Sequence, residues 1–158
     1  LMELFISIAL LAISVAISGD MIMTLGRTYG KAQIFNDTEA AANFIFQKLQ
    51  TDLKGSVLIE VLDSGKTLKI TKNDGSIITY SLNDSVSPPK LTRNSVELLD
   101  RTSTIGGIKL TCSGSCFELI NQSPITIQTN LVFSQAYGAG LFNTSVSLKD
   151  AFVVRGSY

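Results

Sequence analysis

Few side chains in this sequence could do chemistry, and the first of them is Glu3. It stands near the start of an almost uncharged apolar stretch, Leu1 to Leu25, whose only other acid is Asp20. A carboxylate at the centre of a membrane helix costs about 2.5–3.5 kcal/mol on insertion scales, so such acids usually have a partner and a job. In a first helical turn, the free amide groups and the positive end of the dipole favour the charge by about 0.3–1 kcal/mol. A neighbouring chain's amino terminus is the obvious further partner. The chemistry on offer is ion pairing in an assembly, not catalysis.

The remaining candidates are weaker. Cys112 and Cys116 are the only cysteines, in Cys-Ser-Gly-Ser-Cys. Their spacing is one residue too long for a Cys-x-x-Cys redox motif, and there is no histidine or second cysteine pair to complete a zinc site. Asn36-Asp37-Thr38, Asn83-Asp84-Ser85, Asn121-Gln122-Ser123 and Asn143-Thr144-Ser145 match the N-glycosylation tripeptide. In a chain rich in Asn, Ser and Thr such matches recur by chance, and they also read as turn residues. Asp63, Asp74 and Asp84 fall in turns without the dense acidic loop that calcium needs. Asp20 either pairs with Arg27 or lies at the water boundary, and the second reading is preferred. Tyr29, Tyr80, Tyr137 and Tyr158 are too scattered for a binding platform. No phosphate loop, nucleophile elbow or carboxylate pair stands out, so neither an enzyme nor a cofactor is expected. With 13 basic and 13 acidic side chains and no run of either sign, the chain lacks the basic footprint of a nucleic-acid binder.

The elements that position these residues divide the chain in three: an apolar helix over 1–25, an amphipathic continuation over 26–54 and a β-rich head over 55–158. Leu4 to Ser18 spans about 22 Å as a helix, short of the hydrocarbon layer of about 30 Å. Extending the span to Leu25 supplies the length but takes in Asp20. A cleaved signal peptide fits poorly, because the first residues hold an acid and no Lys or Arg. A membrane anchor, a buried core helix, and a helix that sits in lipid first and later in a polymer's centre are the other readings. Ala12/Ala16 and Ser14/Ser18 are small-xxx-small pairs that let helices approach closely. Farther on, Ile34/Phe35, Ala41/Ala42, Ile45/Phe46, Leu49 and Leu53 recur at steps of three and four, which predicts one dry stripe. Gly19, Gly26 and Gly30 lie between the halves, each costing about 1 kcal/mol relative to Ala. A kink, stretch or unwound turn is expected there.

From Ser56 the period changes. Val57–Leu62, Thr67–Lys72 and Ser76–Leu82 are β-prone runs joined by Asp63-Ser64-Gly65-Lys66 and Asn73-Asp74-Gly75, good hairpin turns. They predict a three-strand antiparallel meander, followed by a Pro-bearing loop over Ser85–Pro89. Lys90–Arg93 and Val96–Leu99 add edge pairing or a helical turn. Ile105–Thr111, Phe117–Asn121, Ile125–Phe133 and Phe142–Lys149 form a second β block, with Gly138 and Gly140 at a tip and Val153-Val154 near the end. The expected fold is α+β: a long helix whose first half projects and whose dry stripe covers an antiparallel sheet.

Leu1-Met2-Glu3-Leu4 followed by the apolar Phe5–Ile17 resembles the start of the type IV pilin superfamily, Phe-Thr-Leu-Ile-Glu-Leu and an apolar run. The likeness covers about the first third of the chain. In the head, Ile77–Leu82 with Leu91-Thr92-Arg93, and later Phe142–Lys149, look like the larger minor pilins and J-type pseudopilins. Two departures stand out. The acid is third here rather than fifth and no aromatic residue stands first, so either two further residues precede Leu1, the preferred reading, or the maturation register differs. Glycine also takes the place of the proline that often kinks family helices.

The resemblance implies a structural subunit of a filament at the cell surface, resident in the cytoplasmic membrane before assembly. It implies a leader removed by a prepilin peptidase, methylation of the new terminus, inner-membrane assembly machinery, and polymerisation with copies of itself and related pilins. Glu3 would meet the neighbour's terminal amine, and Leu1, Phe5, Ala12 and Ala16 would also take part in subunit assembly. A head outside the cytoplasm would be oxidised, so Cys112 and Cys116 are expected to form a disulfide at a hairpin tip between Ile108–Thr111 and Phe117–Asn121. Two alternatives stay open: a monomeric membrane-anchored binding module outside the cytoplasm, and a minor pseudopilin of a secretion or DNA-uptake machine.

Overall fold

The computed structural model of the protein describes residues 2–99, 107–135 and 144–154. Helix α1 runs from Met2 to Leu53, 52 residues, which at 1.5 Å per residue is about 78 Å of rod. It is α-helical without interruption through Gly19, Gly26 and Gly30, so the expected kink or unwound turn is absent from the isolated chain. A would-be Cβ at Gly19 or Gly26 meets nothing within 4 Å, as expected for a helix with no neighbour at that level.

The dry stripe is where its period places it. Ala42, Ile45, Leu49 and Leu53 are buried, and the polar Thr38 and Asp52 are buried with them. Thr38 is accommodated because its hydroxyl donates to the Ile34 carbonyl at 2.8 Å. Phe35, three residues before Thr38, remains exposed.

The head is α+β, as expected, but it is built from two antiparallel sheets rather than one. The first has strands β1 (Ser56–Leu62), β2 (Thr67–Lys72), β3 (Ile77–Asn83), β4 (Lys90–Arg93) and β5 (Val96–Glu97), in sequence order. Every neighbouring pair is antiparallel, so the meander expected from the turn sequences is present and β4 and β5 extend it at the edge. The second sheet is β6 (Ile108–Gln122), β7 (Ile125–Gln135) and β8 (Ser145–Val154). The runs ending at Lys149 and at Val154 are one strand, β8, paired along its length with β7. The tip with Gly138 and Gly140 lies outside the described residues.

In β7, Ile127, Thr129, Leu131 and Phe133 are all buried, the period-two face of a half-covered strand. Helix α1 packs chiefly on β7 and β8, where Phe46 and Phe152 meet with ring centroids 5.1 Å apart. One apolar cluster joins α1 to both sheets.

A second difference concerns the cysteines. They are bonded, as expected: Cys112 and Cys116 form a disulfide. The loop they close is not a hairpin tip, because both flanks pair with the same strand: Cys112 lies opposite Leu131 and Phe117 opposite Thr129. The segment between is a large bulge within β6, turned by Gly114 at φ 88°. Ser115 in the bulge sits against Gly65 of the turn between β1 and β2, so the stapled bulge is one of the places where the two sheets touch.

Gly65 has φ 89°, and a Cβ there would lie 2.5 Å from the Ser115 Cβ and 2.8 Å from the Phe117 carbonyl oxygen. Gly75 has a similar φ of 79° with open space around it. Gly65→Ala is therefore expected to destabilise the head by on the order of 3 kcal/mol, strain and overlap together. Gly75→Ala should cost only the left-handed strain, about 1 kcal/mol. Thermal unfolding of the two variants in detergent checks the difference; equal losses would mean that the Gly65 contact carries no energy.

Candidate functional site

The features that need a function lie at the two ends of α1. At the carboxyl end the helix is locked to the first sheet through one carboxylate. The Asp52 side chain is 5% exposed and forms an ion pair with Arg93, whose Nε donates to Oδ2 at 2.7 Å. Arg93 Nη2 donates to Oδ1 at 3.2 Å, and the Tyr80 hydroxyl donates to Oδ2 at 2.6 Å. Lys72 Nζ stands 3.7 Å from Oδ1. One helical residue thereby gathers side chains from β2, β3 and β4.

Burial alone would discourage ionisation of Asp52. The hydrogen bonds from Arg93 and Tyr80, and then the charges of Arg93 and Lys72, outweigh it and hold the carboxyl below its ordinary range. Burial, and then the adjacent carboxylate, push the Tyr80 phenol far above its usual value. The site holds a permanent charge in place and offers no proton near neutral pH. It is a clamp.

At the amino end, residues 2–29 are exposed throughout. The helix is long and apolar enough to cross a membrane, and none of its most apolar stretch is buried. Phe5 is 68% exposed, and Leu4, Ile8 and Leu11 are similarly bare. At about 100° per residue, Phe5, Ala12 and Ala16 fall on one face and Glu3 on roughly the opposite one. Leu1 lies outside the described residues.

Ser7, Ser14 and Ser18 donate their hydroxyls to the carbonyls of Glu3, Leu10 and Ser14, at 2.9, 2.9 and 2.8 Å. Their polarity is thus spent inside the helix, and they can meet an apolar neighbour as small side chains. Among the described residues no ion pair joins Asp20 to Arg27. Both lie on the face that, farther along, carries Thr38 and Ile45 into the head.

The turn aspartates have local roles. Asp63 accepts from the Thr67 hydroxyl at 2.7 Å, Asp74 accepts from the amide and hydroxyl of Ser76 at 2.9 and 2.6 Å, and Asp84 pairs with Lys66. The sequence reading missed the Asp52 clamp. Its only local signal is an acid where the dry stripe continues, between Leu49 and Leu53. Comparison with models of protein families, with curated proteins and with solved structures gives no match to this chain.

Because the Asp52 pKa is lower in the folded head than in the unfolded chain, the clamp's contribution is complete above about pH 4 and is lost as pH falls through the folded value. Asp52→Asn is expected to cost about 2 kcal/mol at neutral pH, since hydrogen bonds to a charged group are lost while Arg93 keeps only partial solvation. It should also flatten the acid limb of the stability profile. Unfolding of the detergent-solubilised chain from pH 7 to pH 2 tests both; an unchanged acid limb in the variant would remove Asp52 from the account.

Proposed function

We propose that the chain is a structural subunit of a type IV pilus-like filament, held in the cytoplasmic membrane before assembly and polymerised through the apolar half of α1. One observation carries this reading. A single unbroken helix is packed into a head along its last third and bare along an apolar stretch long enough to span a bilayer.

A bilayer covers that stretch for a single chain. In a polymer, copies of the same helix cover it, and the exchange gains little from hydrophobicity because lipid tails are as apolar as Leu. Packing and charge then decide. The face carrying Phe5, Ala12 and Ala16 permits close approach. Glu3, which has no cation near it within its own helix, meets the terminal amine of the next copy.

An unpaired carboxylate in such a bundle is costly, so removing Glu3 affects assembly and not the head. Glu3→Leu is expected to leave thermal unfolding of the head and membrane insertion unchanged while lowering the yield of sheared fibres at least tenfold. Negative-stain microscopy of sheared cell-surface material, with mass measurement of the amino terminus, checks it. Undiminished fibres from Glu3→Leu would remove the ion pair from the mechanism. Wild-type cells with no fibres, and a terminus without methylation, would favour a solitary membrane-anchored binding module.

A further inference from the structure

The matches to the N-glycosylation tripeptide are indistinguishable in sequence, but the structure separates them. Asn36-Asp37-Thr38 is inside α1, and the Thr38 hydroxyl is buried against the head and donating to Ile34. An acceptor tripeptide has to enter a transferase cleft with its amide and hydroxyl free, which this one could do only by unfolding the helix where it enters the core. Asn121 is exposed and paired with Thr126 near the end of β6, and its Oδ1 accepts from the Ser123 amide at 3.3 Å, but its Nδ2, the atom that would attack, is already donating to the Ser123 carbonyl at 3.3 Å. Asn143 lies outside the described residues.

Asn83 differs in that its Nδ2 makes no hydrogen bond among the described residues. It is the last residue of β3, paired with Lys90 of β4, and Asn83 to Ser87 is a continuous exposed segment leading into the loop before β4. Its Oδ1 accepts from the Ser85 amide at 3.1 Å, so the carboxamide and the hydroxyl residue are held in one turn at the surface. Asp84, the middle residue, would repel an anionic donor, but it is paired with Lys66 across the surface. An exposed pair of this kind adds little to stability; here it offsets the one charge that would oppose the reaction.

We propose that Asn83 is the acceptor of an N-linked glycan, delivered from an oligosaccharide carried on a lipid pyrophosphate. Nδ2 attacks the anomeric carbon, a carbon–nitrogen bond forms, and the bond from that carbon to the pyrophosphate oxygen breaks. The lipid pyrophosphate departs with the bonding electrons, and the amide proton passes to the transferase's base. No oxidant or reductant is involved. The inference rests on the reading above in one respect, that the head is outside the cytoplasm, where such donors are used.

The test uses full-length protein purified from the cells that make it, with peptide mass mapping and site-resolving fragmentation. A sugar increment on the peptide containing Asn83 is expected. It should vanish in Asn83→Gln and in Ser85→Ala, and persist in Ser85→Thr, while unfolding temperatures of unglycosylated preparations stay alike. An unmodified Asn83 peptide, or a sugar mapped to Ser85 instead, overturns the assignment. Protease added to intact cells separates the two readings: cleavage of a head that carries no sugar sinks only the acceptor, whereas a head that is never reached sinks the external location and the modification with it.

Discussion

A two-layer head of this size can cover only so much helix, and that constraint governs everything else in the structure. Burial on α1 begins at Thr38 and ends at Leu53, where β7, β8 and the Asp52 clamp supply neighbours. Above that level the helix continues with no protein beside it. A helix short of tertiary contacts is held by its own hydrogen bonds, and those are marginal in water even for good helix formers. The length and composition of the projecting half are compatible with a membrane. The amphipathic half and the apolar half are one continuous rod, the first packed on the head and the second bare.

The two ends of the rod treat charge in opposite ways. Asp52 is a buried carboxylate with donors from three strands converging on it, and the resulting pair is strong because little water competes. Glu3 is a carboxylate with no cation near it among the described residues, on a helix face away from Phe5, Ala12 and Ala16. The first arrangement is complete within one chain and fixes the head to the helix. The second is incomplete within one chain, and the proposed function is the demand that it be completed elsewhere.

Much of this was legible in the sequence, for identifiable reasons. The first meander followed from Asp63-Ser64-Gly65-Lys66 and Asn73-Asp74-Gly75, because those turns fix strand pairing locally. The dry stripe followed from its period, although Phe35 carries the hydrophobicity of a core residue and stays outside. Cys-Ser-Gly-Ser-Cys was misleading, since glycine and serine serve a hairpin tip and a bulge equally well. What distinguishes the two is which strand each flank pairs with, and that depends on Leu131 and Thr129, far along the chain. The Asp52 clamp was hidden for the same reason: its partners Tyr80 and Arg93 are separated from it by 28 and 41 positions. At the candidate site the residues were legible but their grouping was not, because the opposed faces of Glu3 and Ala12 emerge only once the helix is known to be unbroken between them.

The stapled bulge has a consequence for how these heads avoid sticking to one another. β6 is an outer strand of its sheet, and an outer strand with a straight row of free amides and carbonyls is a template for runaway sheet growth. The bonded cysteines push several residues of β6 out of line and break that row in the middle. The other outer strand, β8, carries Lys149 and Asp150 in mid-run, a second obstacle to lateral annealing. Both outer strands of this sheet are thereby poor templates for edge-to-edge pairing.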